Sequence, residues 1–293
     1  MIVITAPTGN IGRQVLSTIL AQGERVRVIV RDAARLSAEV RQRVEIFEGS
    51  HQDAKVVDAA LDGADAVFWL VPADRQAASV VAAYVDFSRP AVEAFRRYGV
   101  GRVVGISALG RGFPGNAGYV TASLAMDDLI ASSGVAYRSL VMPTFMDNLL
   151  WQVSAIKNQG VISSPRPGHL KAPTCANRDI AAVAARLLLD RSWTGNASVP
   201  ILGPEDLSFQ EMAAIMSEVL GRPMRYEETP FDAFRAQLVQ FGYSEPMAQG
   251  MLDMASAKNR GLDNLEPRTQ QGTTPTTFRQ WCQEILKPAV EKA

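Results

Sequence analysis

The residues best placed to do chemistry fall within the first 35 positions of the 293-residue chain. In Thr5-Ala-Pro-Thr-Gly-Asn-Ile-Gly12, two glycines, Gly9 and Gly12, follow an apolar β-branched run, Ile2 to Ile4. They precede a helical pattern with Ile11, Val15, Ile19 and Leu20 on one face. Strand, tight turn and helix form the context a dinucleotide-binding turn needs. A helix N-terminus offers unpaired N–H groups and partial positive charge to a pyrophosphate, provided no Cβ blocks the approach. On this reading Thr8, Gly9, Asn10, Ile11 and Gly12 bind phosphate, with Gly9 and Gly12 directly against the pyrophosphate. Two features depart from the usual turn: Ala6 stands at the first glycine, and Pro7 lacks an N–H donor. The bland alternative is a turn that only packs strand against helix.

A second cluster sharpens the first. Arg25 to Val30 reads as a strand and ends in Arg31-Asp32, with Arg35 one helical turn on. Asp32 lies 20 residues past Gly12, the spacing at which an acid meets a ribose 2′-hydroxyl. A guanidinium at Arg31 or Arg35 suits a 2′-phosphate through planar, bidentate hydrogen bonds. The cluster therefore points to NADP, and more precisely NADPH, over NAD. Asp32 would equally cap a helix starting at Ala33, and both roles are compatible.

The elements that must position these groups alternate through the first half. After Gly23, a helix C-cap, strands are expected at Arg25–Val30, Val44–Phe47, Ala66–Val71, Gly101–Ile106 and Val135–Val141. Helices are expected at Ala54–Leu61, Arg75 to about Tyr98 with Pro90 at a break or start, and Thr121–Ser132. Such βα alternation implies right-handed crossovers and a doubly wound parallel sheet. Past Asn148 the rhythm changes. Leu149–Lys157 reads as helix, Ser163–Pro173 as loop, Arg178–Leu189 as a strong Ala/Leu helix and Ser198–Leu202 as a short strand. Helices follow at Ser208–Leu220, Phe231–Gly242, Pro246–Lys258 and Thr277–Leu286. The expected organisation is a sheet domain over 1–148 and a smaller C-terminal α/β lobe over 149–293, with parts of 174–203 candidates to return to the sheet domain.

Ligands in open α/β sheets bind outside the carboxyl ends of the strands. Val71 and Pro72 end the fourth strand and are expected to flank the adenosine or ribose; Ser107 ends the fifth; Met142 and Pro143 end the sixth. Ser107 and Tyr119 could orient and protonate a carbonyl oxygen while hydride arrives at carbon. A phenol with pKa about 10 usually needs a nearby Lys to lower it. Four residues after Tyr119 stands Ser123, and no Lys occurs between Lys55 and Lys157. Plainer readings make Tyr119 a loop aromatic over the site and Ser107 a cap or turn residue. Leu109, Phe113, Thr144, Phe145, Met146 and Trp151 would line an acceptor pocket, although such a Met/aromatic set also looks like core.

Composition limits the remaining classes. Lys+Arg and Asp+Glu balance at 30 each, so no net basic field draws nucleic acid or an acidic membrane. No apolar run approaches the 18 residues of a membrane span. Cys175 and Cys282 are the only cysteines and His51 and His169 the only histidines, with no metal-ligand spacing among them. The cysteines read as packed thiols. With no signal-peptide pattern, the expected location is the cytoplasm.

Taken in order, Thr5–Gly12, Val28-Ile-Val-Arg-Asp32, Ala131–Tyr137, Met142-Pro-Thr-Phe-Met-Asp-Asn148, Asn177-Arg-Asp-Ile-Ala181 and Gly272–Phe278 resemble the NmrA-like group of atypical short-chain dehydrogenases/reductases. The resemblance covers nearly the whole chain. It implies a Rossmann sheet domain that binds NAD(P), with a small C-terminal lobe. The group includes NADPH-dependent quinone and dye reductases, isoflavone-type reductases and non-catalytic sensors of NADP redox state. Three positions depart from the group: Ala6, Ser50 where an acid often follows the third strand's glycine, and Ser123 where reductases often carry Lys or His. Two readings follow. One is an NADPH-dependent oxidoreductase passing hydride to a small, flat, apolar acceptor such as a quinone or conjugated carbonyl, which needs little help from a protein acid. The other is an NADP(H)-sensing regulator without turnover. The expected partners are a small-molecule substrate and either a second copy of the chain or a regulatory protein.

Overall fold

Strands and helices alternate along residues 1–293, all of which the computed structural model describes. In order they are β1 (Ile2–Thr5), α1 (Gly12–Ala21), β2 (Val26–Val30), α2 (Ala38–Arg43), β3 (Glu45–Glu48), α3 (Ala54–Leu61), β4 (Ala66–Trp69), α4 (Phe87–Arg97), β5 (Arg102–Ala108), α5 (Tyr119–Ala131) and β6 (Ala136–Met142). Then come β7 (Thr144–Phe145), α6 (Val153–Gln159), β8 (Val161–Ser164), β9 (Ala172–Cys175), α7 (Asn177–Leu189) and β10 (Asn196–Pro200). The chain closes with β11 (Asp206–Leu207), α8 (Phe209–Leu220), β12 (Arg225–Glu228), α9 (Phe231–Gln240), α10 (Glu245–Asn259), α11 (Phe278–Trp281) and α12 (Lys287–Lys292). No helix is long and apolar enough to cross a membrane.

Seven strands form one sheet in the order β10-β6-β5-β4-β1-β2-β3. β1 pairs in parallel with β2 and β4, β2 with β3, and β4 with β5. This is the doubly wound Rossmann arrangement, in which the strand order reverses between β1 and β4. At that switch point the Thr5 hydroxyl donates to Phe68 O (2.9 Å) and accepts from Leu70 N (2.9 Å). β1 is wholly buried, as a central parallel strand covered on both faces must be.

The chain forms two compact units. The first comprises Met1–Ala108, Thr121–Val141 and Ile180–Val199; the second comprises Leu109–Val120, Met142–Asp179 and Pro200–Ala293. In the first core, Trp69 meets Phe95 edge-on at 6.0 Å and gives its Nε1–H to the buried Ser88 hydroxyl at 3.1 Å. The second unit holds two small sheets, β11-β9-β7 and β12-β8. In its core Phe278 and Trp281 stack at 5.7 Å beside Met212 and Met216. Both cysteines are buried free thiols, and burial pushes Cys282 up to about 12 and Cys175 upward as well.

Several boundaries differ from the sequence expectation for identifiable reasons. The helix before β5 starts after Ser79, whose hydroxyl caps Ala82 N at 3.0 Å. Arg75–Ala78 is not helical; Asp74 turns back there to accept from Gln76 N. Pro90 lies inside α4, directly after a wide π-type turn at Ala82–Asp86. A second such turn, Cys282–Leu286, precedes Pro288 and lets the last helix run on to Lys292. Widening the turn relieves the proline ring's clash with the carbonyl four residues earlier. The stretch Ser163–Pro173 is not all loop, because β8 and β9 reach into its two ends.

Candidate functional site

A cleft of about 180 Å³ opens at the carboxyl ends of β1 and β2. It is lined by Ala6, Pro7, Thr8, Gly9, Ile29, Val30, Arg31, Asp32, Arg35, Gly49, His51 and Pro72. The turn that forms one wall is tight. Gly9 N donates to Ala6 O at 3.0 Å, so residues 6–9 close a β-turn with Pro7 at its second position, where a fixed φ is favourable. Ala6 holds φ +50°, the left-handed conformation for which the first glycine of such turns is usually reserved. The amides of Asn10, Ile11 and Gly12 have no partner in the turn or in α1. These free donors at a helix start suit an anion.

Gly12 calls for a correction. A Cβ there would lie 2.2 Å from Ala6 O and 2.9 Å from Ala6 C, so its missing side chain makes room for the turn's own backbone and not for a pyrophosphate. Ile11 is likewise buried against the protein. At Gly9 a Cβ would meet only Ala6 O, at 3.4 Å, and Gly9 does line the cleft.

The end of β2 separates the two roles proposed for Asp32. Its Oδ1 accepts from Ala34 N at 2.9 Å, capping the short turn Ala33–Arg35, while Glu48 accepts from Ala33 N at 3.1 Å. Arg31 and Arg35 are exposed and enter no ion pair, which leaves two guanidinium groups at the cleft for an incoming anion. Beside them His51 is buried. Its Nε2 lies 3.0 Å from Leu70 O, and its ring stands edge-on to Trp69 and Phe87 at 5.1 and 4.8 Å. Burial, opposed by the Leu70 hydrogen bond and reinforced by Arg31, brings the imidazole down to about 4.

At β5 the sequence reading missed the group that matters. Asp127 of α5 is 3% exposed. Its Oδ2 accepts from the Ser107 and Ser139 hydroxyls at 2.5 and 2.6 Å, and its Oδ1 from the Tyr137 phenol at 2.6 Å. Ser123 sits 3.3 Å from Ser107. Gly105 admits the phenol, since a Cβ there would lie 2.3 Å from Tyr137 Oη. Ser107 therefore spends its proton on Asp127, and its remaining capacity is to accept. It is not the free proton donor the sequence suggested.

Of the expected cofactor residues, Thr8, Gly9, Arg31, Asp32, Arg35 and Pro72 come together around the cleft, whereas Val71 packs on the first core. Asn10 is exposed, and its carbonyl accepts from Gln14 Nε2 at 2.7 Å. The other candidates belong to the second unit. Met142 and Pro143 are buried, as is Leu109, whose N–H donates to Met142 O at 3.2 Å. Tyr119 opens α5, half-buried. Thr144 and Phe145 form β7. Phe113 lies under the Arg260 guanidinium at 5.3 Å. Met146 is buried in the second core; Trp151, 84% exposed, stands on the surface.

Comparison with known proteins bears on this arrangement. The model of an NAD(P)H-binding family matches residues 7–191, and that of the NmrA-like family residues 125–281. The chain is 32% identical over 295 residues to (4-alkanoyl-5-oxo-2,5-dihydrofuran-3-yl)methyl phosphate reductase of Streptomyces griseus, covering 97% of both chains. It is 28% identical over 255 residues to the NAD(P)H azoreductase of Xenophilus azovorans, covering 87% of this chain and 86% of the relative. The NADPH-dependent quinone oxidoreductase of Escherichia coli, solved with NADPH, shares the fold with a TM-score of 0.76 at 21% identity, over 100% of this chain and 99% of that one.

Proposed function

The chain belongs to the NAD(P)H-binding, NmrA-like family, and we propose that it is an NADPH-dependent reductase of a small conjugated acceptor. The observation that carries the cofactor assignment is the cleft itself. It sets two unpaired guanidinium groups, Arg31 and Arg35, beside a glycine turn with free amides. In this reading the helix start holds the pyrophosphate, Arg31 and Arg35 hold the 2′-phosphate, and the capped Asp32 keeps its second oxygen for a ribose hydroxyl. NADPH supplies the hydride.

The reductase assignment draws on the relatives. One of them is named for a ring with a C=C bond conjugated to a carbonyl, and another for azo compounds. Quinones, azo bonds and conjugated carbonyls all accept hydride readily, and none requires a strongly activated protein acid. That agrees with a chain whose Ser107 is committed to Asp127 and whose Tyr119 is followed four residues on by Ser123.

Steady-state NADPH oxidation against a panel of quinones, azo dyes and butenolides tests the assignment. Turnover of at least one class is expected; tight NADPH binding with no turnover of any would overturn it in favour of a redox sensor. Arg31→Ala is expected to weaken NADPH about 10–100-fold while leaving NADH nearly unchanged, since a hydrogen bond to a charged group contributes about 1.5–3 kcal/mol. Equal losses for the two cofactors would remove Arg31 from the phosphate site.

A further inference from the structure

His51 is a buried titratable group at the cleft that hydride transfer does not use. Its setting fixes its chemistry. A carbonyl oxygen can only accept, so the 3.0 Å contact with Leu70 O places a proton on Nε2. The ring is neutral, because burial holds it down to about 4. A neutral imidazole protonated at Nε2 carries a bare acceptor at Nδ1. Nδ1 makes no hydrogen bond within the protein, and it is not among the sealed polar atoms that lack a partner. Nδ1 therefore keeps some exposure, and His51 is one of the residues that line the cleft.

The direction along the cleft says what this acceptor would meet. The phosphate turn lies at Gly9 and the ribose-phosphate cations at the end of β2. A dinucleotide that enters past both must carry its base onward, over the ends of β3 and β4, where Gly49, His51 and Pro72 form the wall. Ser50 does not line the cleft, and its hydroxyl accepts from Gln52 N at 3.2 Å in a local turn. Resting on the cofactor reading above, we propose that His51 Nδ1 accepts a hydrogen bond from the exocyclic amino group of adenine and thereby selects adenine over bases that carry an oxygen there.

Deamino-NADPH, which has hypoxanthine in place of adenine, turns that donor into an acceptor. In calorimetric titration the wild-type protein should bind NADPH about tenfold or more tightly than the deamino form, the effect of one buried hydrogen bond lost and one acceptor left unpaired. Two substitutions separate direct reading from packing. The amide of His51→Gln reaches the place of Nε2 and keeps the tether to Leu70, but leaves nothing at Nδ1; its preference should fall to within about threefold. The amide of His51→Asn reaches the place of Nδ1 and should keep most of the preference. Loss of the preference in both variants, with circular dichroism unchanged, would make His51 a packing residue only and overturn the inference. So would equal wild-type affinity for the two dinucleotides, a result that needs no variant to fold. Wild-type protein that binds neither dinucleotide would instead defeat the cofactor reading itself, and the inference with it.

Discussion

Single atoms decide most of what the cleft can be. Ala6 O closes the turn by accepting from Gly9 N, and the same oxygen forbids a side chain at Gly12. The two glycines therefore do different work. Gly12→Ala should destabilise the fold by about 3 kcal/mol, because backbone cannot move aside as a flexible side chain can. A drop in Tm of roughly 5–10 °C is the expected reading, with cofactor binding lost as a consequence. Gly9→Ala, with only an ordinary contact to meet, should leave Tm within a few degrees and act on NADPH affinity alone. Melting curves of the two variants side by side check the division; equal Tm values would refute it. His51 brings a pH term of its own. Its pKa falls from an ordinary 6.5 to about 4 on folding, so between those values the unfolded chain binds a proton that the folded chain refuses. Its contribution is complete above pH 6.5 and is lost as pH falls toward 4. Urea titrations should show stability about 2 kcal/mol lower at pH 5 than at pH 7, with a visibly smaller difference in His51→Gln. A His51→Gln variant with an unchanged difference would assign the pH dependence to other groups.

Elements explain which parts of the molecule were legible in the sequence. The buried parallel strands announce themselves, because a strand covered on both faces has to be a continuous apolar run; Ala66-Val-Phe-Trp69 is one. Asp53 and Ser208 stand where capping residues should and do cap α3 and α8, the latter with the reciprocal Glu211 bond. That Arg31, Asp32 and Arg35 reach one cleft with the glycine turn was readable because their distance from that turn is fixed by one helix and one strand. Illegible were features that depend on what the fold brings together. Pro90 reads as a break or a helix start and Pro288 lies past the expected end of the last helix, and only a widened turn before each lets the helix continue. β12 (Arg-Tyr-Glu-Glu) carries no apolar alternation, and its pairing with β8 is what makes it a strand. Asp127 stands beside Asp128 in α5, and nothing local shows that β5 and β6 converge three hydroxyls upon the first of the two. Gly12 fits the phosphate fingerprint so well that only the position of Ala6 O shows where its missing side chain would have pointed.

At the scale of the whole molecule the chain's path matters more than any boundary in the sequence. It passes from one compact unit to the other after Ala108, Val120, Val141, Asp179 and Val199, so neither unit is a continuous stretch. The first unit recovers Ile180–Val199 late, and that return supplies two things the first 148 residues lack. α7 brings Ile180, Ala181, Ala184, Ala185 and Leu188, all buried. β10 covers β6, which would otherwise be the free edge of the sheet. An uncovered edge strand offers unpaired N–H and C=O groups to other chains. Cutting after Asn148 should therefore give a fragment that retains much of its strand and helix signal but loses a cooperative thermal transition, binds a hydrophobic dye and associates with itself as concentration rises. The length of the truncation is not the cause, since about 150 residues suffice for an independent domain; the missing pieces are the sheet's last strand and the helix that precedes it. Circular dichroism melts and light scattering on residues 1–148 provide the check. A cooperative, monomeric fragment with the Tm of the full chain would mean that α7 and β10 are accessories and that the sheet is complete at β6.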